Sequence, residues 1–203
     1  MPLVGTQSKG LIYILFIILP VVMNSTNAQA KGDLGIEPRP AHWAQPQEYK
    51  GLPNFHKVTD DLYRGAQPSA EGMRQLKKLG INTIINLRTF HSDKDEIGET
   101  ELDYERIRST IWHPKEKEIV RFLQIVTDKH HTPVFIHCMH GADRTGVMCA
   151  IYRVAICGWT KEEAIDEMTK GGFGFHKIWT NLITCIEDID ISDIKTKAGM
   201  QDE

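Results

Sequence analysis

One short segment, residues 137–146, combines residue types that could bind an anion and attack it. Cys138 follows the apolar run 133–137, and Arg144 opens a second apolar run. A strand, a short loop and a helix in this order direct the loop N–H groups and the positive end of the helix dipole toward one point. Arg144 adds a planar guanidinium that can hold two phosphoryl oxygens. The segment predicts a phosphate cradle formed by Met139, His140, Gly141, Ala142, Asp143 and Arg144.

The same arrangement favours Cys138 as a nucleophile. Loop N–H groups and a helix N-terminus stabilise a thiolate, which is the reactive form of cysteine. Thr145 could donate a hydrogen bond to the Cys138 sulfur and make it a better leaving group. His137, directly before Cys138, is a second supporting residue. A cysteine after a strand is by itself more often a core residue. The glycine within the loop and the Arg-Thr-Gly helix start favour the catalytic interpretation here.

The elements around this segment alternate between strand and helix patterns. Ser69 suits the N-cap of the first helix, and Thr160 with Glu163 forms a capping box for a later one. The stretch 88–100 is predicted to be a polar loop. Alternating elements predict a single-domain α/β fold with a central sheet flanked by helices. Strands are expected near 56–58, 62–64, 82–87, 104–109 and 133–137, and helices over 69–80, 115–129, 145–157, 161–170 and 177–189.

The beginning of the chain differs in composition from this domain. Lys9 precedes the apolar run 11–19, and a polar stretch ends in Ala28-Gln29-Ala30. This pattern predicts a secretory signal peptide cleaved after Ala30, and therefore export to the periplasm or outside the cell. An uncleaved anchor is the alternative, but the run is shorter than the ~20 residues of a membrane-spanning helix, so no stable span is expected after cleavage. The predicted organisation is a signal peptide 1–30, an extended leader 31–55, a domain 56–195 and a polar tail 196–203.

Charge, cysteine positions and histidine positions limit the binding partners, disulfides and metal sites that the sequence predicts. Without residues 1–30 the chain carries 23 basic and 27 acidic side chains, which disfavours nucleic acid. Cys149 and Cys157 are too far apart along one helix to bond, while a disulfide from either to Cys185 stays open. The pair 130–131 of adjacent histidines has no evident third ligand, so neither metal nor cofactor is expected.

The loop sequence resembles the signature of the cysteine-dependent protein tyrosine and dual-specificity phosphatases, His-Cys-x5-Arg-Thr-Gly. The likeness also includes 62–68, 84–88 and 152–174, covers roughly residues 56–175, and points to a small exported bacterial branch. It implies a phosphatase-type α/β fold and a phosphoric monoester hydrolase without metal. It also implies a phosphocysteine on Cys138 and phosphate binding by Arg144. The implied partner is a phosphorylated protein or a phosphoinositide.

The general acid is the point where this sequence departs from that family. The resemblance implies an aspartate on the loop after the strand 104–109, but residues 111–114 read Ile-Trp-His-Pro. A second likeness, to myotubularin-like phosphatases with Asp-Arg-Thr in the loop, implies Asp143 as the acid. Asp143 could instead be a solvated carboxylate or a partner for a nearby arginine. His113 is the second candidate, because histidine exchanges protons near neutral pH.

Two other functions fit parts of the sequence. A pseudophosphatase would keep the cradle but lack an acid, and would only hold phosphorylated partners. A rhodanese-like redox or sulfur-transfer centre is disfavoured by Arg144 and by the missing Cys-x-x-Cys pair. Among substrates, the lack of lysine in the loop favours phosphoprotein, whereas the Asp-Arg-Thr likeness favours phosphoinositides or inositol phosphates.

Charged residues near the strand ends are interpreted as structural. Arg88 is expected to pair with Asp93 or Glu96, and Arg64 to fix the first helix. His140 either shapes the loop rim or contacts substrate.

Overall fold

The structure is a computed structural model in which residues 1–2 and 39–200 are described. The predicted signal peptide beyond residue 2, its cleavage site, residues 31–38 of the leader and residues 201–203 of the tail lie outside the described residues. Residues 39–200 belong to one unit, Pro38–Glu203. The helices of the described residues include no candidate for a membrane span.

A six-stranded sheet forms the centre of the fold, with strand order β1-β2-β3-β6-β4-β5. The strands β3, β6, β4 and β5 run parallel, and the short β1 and β2 pair antiparallel at the β3 edge. All four residues of β6 are buried, as the Val-Phe-Ile run indicates for a central parallel strand. The bounds are β1 (Gln45–Pro46), β2 (His56–Lys57), β3 (Leu62–Gly65), β4 (Thr83–Asn86), β5 (Asp103–Arg106) and β6 (Val134–His137).

Parallel pairing decides where the site can form. His137, the last residue of β6, is in register with Gly65 of β3 on one side and Asn86 of β4 on the other. The segments that leave these strands therefore start at one edge of the sheet. Clefts at the carboxyl edge of a parallel sheet are where α/β proteins bind ligands. The Cys138 loop begins at this edge.

Helices cover both faces of the sheet. Alternate residues of β6 point to opposite faces, so Phe135 packs with α1 residues such as Met73, while Ile136 packs with α3 and α4 residues such as Phe122 and Val147. Helix α4 is buried on nearly every side, which explains the almost continuous apolar run 146–152 in its middle. In the described residues the helices are α1 (Ala70–Lys78), α2 (Lys94–Ile97), α3 (Glu116–Thr127), α4 (Asp143–Ala155), α5 (Lys161–Lys170), α6 (Thr180–Asp188) and α7 (Ile191–Lys197).

Local signals placed several helix ends correctly. The Ser69 hydroxyl accepts a hydrogen bond from the Gly72 N–H and caps α1, and the Thr160 capping box opens α5. Gly80, with φ of 82°, lies just after the C-cap of α1 and permits the turn toward β4.

Four details differ from the sequence-based prediction. The expected loop 88–100 contains α2, whose single turn is too short to show a helical period and which is held by the buried Ile97. The expected helix 177–189 starts only at Thr180, and α7 restarts after it with an Asp190 cap. Helix α4 begins at Asp143, so Asp143 and Arg144 lie in its first turn and not in the loop. The leader contributes β1 to the sheet, which pairs with β2.

Candidate active site

The segment 138–142 forms a tight loop between β6 and α4, with Cys138 buried at its start. Gly141 adopts φ of 70°, a conformation that favours glycine. A Cβ at this position would lie 2.4 Å from the carbonyl oxygen of Gly65. The loop therefore turns directly against the end of β3, and only a residue without a side chain fits there.

Hydrogen-bond donors around Cys138 remain available for a ligand. Among the described residues, the backbone N–H groups of 139–144 donate no backbone hydrogen bond. Arg144 Nε and Thr145 Oγ1 are buried and have no partner there either. The N-terminus of α4 adds the positive end of its dipole. Buried donors without protein acceptors are costly, and an oxyanion would satisfy them.

Arg64, a β3 residue that is 1% exposed, contacts the loop 138–142 from the protein interior. Its Nη2 donates to the carbonyl oxygen of Gly141 at 2.7 Å, and its guanidinium stacks on the Phe173 ring at 3.7 Å. Asn54 donates to the carbonyl oxygens of both His140 and Phe173 at 2.9 Å. The expectation that Arg64 fixes the first helix is therefore wrong: its hydrogen-bond acceptors, Gly141 and Ala142, belong to the loop 138–142.

A second buried network fixes His137, the residue before the cysteine. His137 Nε2 donates to Asp93 Oδ2 at 2.9 Å, and Asp93 Oδ1 forms an ion pair with Arg88. All three side chains are at least 96% buried. The predicted pairing of Arg88 with Asp93 is confirmed. The Asp93 carboxylate also orients the His137 ring, which is adjacent to Cys138 in the chain.

Asp143 is partnered in a way that the sequence did not suggest. Its carboxylate is buried, and Oδ1 accepts the backbone N–H of His176 at 2.9 Å while Oδ2 lies 2.9 Å from His176 Nδ1. It is neither solvated nor paired with an arginine. The His176 ring is half-exposed and its centroid lies 6.1 Å from that of His140.

These residues open onto a cavity of about 490 Å³. A neighbouring cavity of about 400 Å³ shares Ile111, Met139 and Arg144 with it and adds Arg88, Phe90 and Trp112. His113 lines neither; it borders a third cavity formed with α6 and α7. The 490 Å³ cavity is lined by Ile111, Cys138, Met139, His140, Asp143, Arg144, His176, Ile178 and Trp179.

The tertiary structure thus groups Cys138 with Asp143, Arg144 and the rim residues of the loop, and it leaves His113 apart. Sequence reasoning missed His176, although the glycine-rich segment 171–174 before it indicates a loop that could approach the site. In the described residues no three histidine, cysteine or acidic side chains come together as metal ligands. All four cysteines are free thiols, so neither disulfide that the sequence left open is present.

The fold and this loop match a known family. Residues 47–181 match the family model described as DSP-PTPase phosphatase fused to NAD+ kinase. The chain belongs to this DSP-PTPase family. The matched range contains every strand from β2 to β6 and the whole loop 138–142.

Curated relatives include both dual specificity protein phosphatases and inositol diphosphatases. The dual specificity protein phosphatase TpbA of Pseudomonas aeruginosa (strain UCBPP-PA14) is 31% identical over 140 residues, which are 68% of this chain and 62% of the relative. The inositol diphosphatase DSP5 of Arabidopsis thaliana is 25% identical over 155 residues, 70% of this chain and 72% of the relative. The chain thus spans about three fifths of the length of the TpbA relatives that it matches.

Solved structures share the fold. The crystal structure of P. aeruginosa TpbA superposes with a TM-score of 0.71 at 25% identity, over 79% of this chain and 99% of that one. The catalytic core of Siw14 superposes with a TM-score of 0.64 at 23% identity, over 76% and 95% of the two chains. This DSP-PTPase domain therefore has the fold of the protein tyrosine phosphatase-like proteins, as predicted.

Proposed function

We propose that this chain hydrolyses phosphoric monoesters through a phosphocysteine intermediate on Cys138. The observation that carries the proposal is a buried cysteine followed by donors without a partner in the described residues, namely the loop N–H groups and Arg144 Nε, at the N-terminus of α4. Such a set of donors matches the oxygens of a phosphoryl group and stabilises charge that develops during its transfer.

The reaction would proceed in two steps. The Cys138 thiolate attacks phosphorus, the S–P bond forms and the bond to the leaving oxygen breaks, while Arg144 holds two of the transferred oxygens. Water then cleaves the S–P bond and releases inorganic phosphate. Thr145 Oγ1, which is buried without a partner in the described residues, can donate to the departing sulfur.

A phosphotyrosine side chain suits the surroundings of the cradle. The rim exposes large apolar side chains: Phe90 is 89% exposed, Trp112 71% and Ile178 77%. Among residues 39–200, no lysine lines either cavity at the cradle. Apolar rims favour an aromatic group over a ligand of many negative charges. TpbA, a relative with the same fold, has been solved in complex with pTyr.

Inositol phosphates are the second candidate, because several curated relatives are inositol diphosphatases. Arg144 would bind the phosphoryl oxygens of an inositol phosphate as it would those of phosphotyrosine. The lack of lysine among the described residues that line the two cavities is the observation that ranks this substrate class second.

The test compares the full chain with Cys138→Ser and with Cys157→Ser, a half-buried cysteine outside the cradle. Phosphate release is measured under reducing conditions from a phosphotyrosine peptide, a phosphoserine peptide and an inositol pyrophosphate, with and without vanadate. Vanadate-sensitive release that is lost only in Cys138→Ser supports the proposal, and the preferred substrate ranks the two classes. Binding of the phosphopeptide without any turnover would replace it with the pseudophosphatase.

Export is proposed from the sequence alone, on the charged, apolar and small-residue pattern of residues 1–30. Cell fractionation of the full chain, with the N-terminus of the mature protein read by mass spectrometry, tests it. A cytoplasmic chain that retains residues 1–30 would overturn it.

A further inference from the structure

The loop after β5 offers no proton donor of the expected kind. Residues 107–115 contain no carboxylate, and the cavity at Cys138 receives Ile111 from this loop. An alkoxide or phenolate leaving group needs a proton, so another group must supply it.

Asp143 is badly placed to be that donor itself. Oδ1 accepts a backbone N–H and Oδ2 accepts from His176 Nδ1, both at 2.9 Å. Both carboxylate oxygens are therefore occupied by contacts to His176, which leaves neither of them free to act on a leaving group in the cavity. The arrangement instead resembles an orienting carboxylate behind a catalytic histidine.

His176 has the free nitrogen that the reaction requires. Its Nδ1 is occupied by Asp143, which leaves Nε2 without a hydrogen-bond partner among residues 39–200. The ring is half-exposed and lines the same cavity as Cys138 and Arg144. Imidazole gives and takes protons near neutral pH, so one group can serve both steps.

We propose that His176 is the general acid and base of this site and that Asp143 is its positioning residue; the inference rests on the proposed phosphatase function. In the first step the S–P bond forms, the P–O bond breaks and the Nε2 proton of the imidazolium moves to the leaving oxygen. In the second step neutral Nε2 takes a proton from the attacking water as the S–P bond breaks. The sum is consumption of one water and regeneration of the thiolate and the imidazolium.

The surrounding charges are compatible with this cycle. Asp143 Oδ2 lies 2.9 Å from Nδ1 of the ring, and Arg144 from the same helix turn and Cys138 from the end of β6 line the same cavity as His176. His140 approaches from the loop, and Lys177 follows in the chain. Asp143 offsets the positive charge of Arg144, which would otherwise disfavour a second cation at this point.

The experiment uses two substrates with different leaving groups in the full chain. Phenyl phosphate needs protonation of the leaving oxygen, whereas para-nitrophenyl phosphate does not. The measured quantity is kcat/KM, which reports events up to the phosphocysteine. For His176→Ala we expect a loss of about 10²- to 10⁴-fold on phenyl phosphate and less than about 10-fold on para-nitrophenyl phosphate. His176→Gln, which keeps a polar side chain, should behave alike, and both should lose the alkaline limb of the pH profile.

Asp143→Asn should show the same selectivity with a smaller loss, because the ring remains but loses its orientation. His130→Ala removes an exposed histidine that precedes the amino end of β6, lines neither cavity at Cys138, and should leave both rates unchanged. Thermal unfolding and vanadate binding establish that each variant keeps its fold and cradle.

Three outcomes overturn the inference while the proposed function stands. Equal losses of kcat/KM on both substrates in His176→Ala would show that His176 has a structural role and does not transfer the proton. Unchanged rates in a folded His176→Ala variant would show that His176 has no role in the reaction. A selective loss in His113→Ala would assign the proton to His113. Failure of the unaltered chain to cleave either substrate would instead remove the proposed function, and this inference with it.

Discussion

Replacing Asp93 by asparagine tests how much the buried network behind the cysteine stabilises the fold. Asp93 is fully buried and contacts two groups, the Arg88 guanidinium and His137 Nε2. Asparagine keeps the shape but removes the charge, so Arg88 is left as a buried cation without a counter-charge. Breaking a buried pair in this way costs about 3–5 kcal/mol. For a domain of this size that lowers Tm by about 6–20 °C.

The assay is urea unfolding of the full chain and of Asp93→Asn, read by circular dichroism. Asp61→Asn is the matched control: Asp61 is 44% exposed and pairs with Lys129, which is 81% exposed. Such surface pairs contribute at most about 1 kcal/mol. The double variant with Arg88→Met should be more stable than Asp93→Asn alone, since both charges are then absent. A loss in Asp93→Asn no larger than in Asp61→Asn would refute the reasoning.

Three more expectations rest on local environments. Burial, reinforced by nearby Arg64, lowers the pKa of His56 to about 4 from 6.5, so the unfolded chain binds the proton more readily between these values. The free energy of unfolding, measured in urea, should fall by up to about 3 kcal/mol from pH 7 to 4, and His56→Gln should flatten this slope. Burial raises the pKa of Cys149 to about 11, so iodoacetamide at pH 7 should modify Cys138 and spare Cys149, as mass spectrometry would show; equal labelling would contradict it. Gly141→Ala should lower kcat/KM by about 10²-fold, because its Cβ displaces the loop. Gly158→Ala, at φ of 71° with no atom near the Cβ, should cost stability but not activity.

Much of the fold followed from local signals in the sequence. The apolar run before Cys138 is β6, the Ser69 and Thr160 caps open their helices, and the alternation of elements gave the central sheet. These features depend on neighbours within a few residues, which a sequence shows directly. Helix α2 was missed because its single turn is too short to show a helical period. The break between α6 and α7 was missed although the Asp190 cap that opens α7 is a local signal.

The sequence by itself determined the chemistry of the loop: a cysteine, a glycine that permits the turn, and an arginine at the start of an apolar helix. Only the tertiary structure decided what surrounds it. His176 lies 33 residues from Asp143, and Asp93 lies 44 residues from His137. No periodicity or spacing links such pairs. They meet because parallel strands end at one edge of the sheet and the chain returns to that edge after α5, bringing together side chains that are remote in sequence.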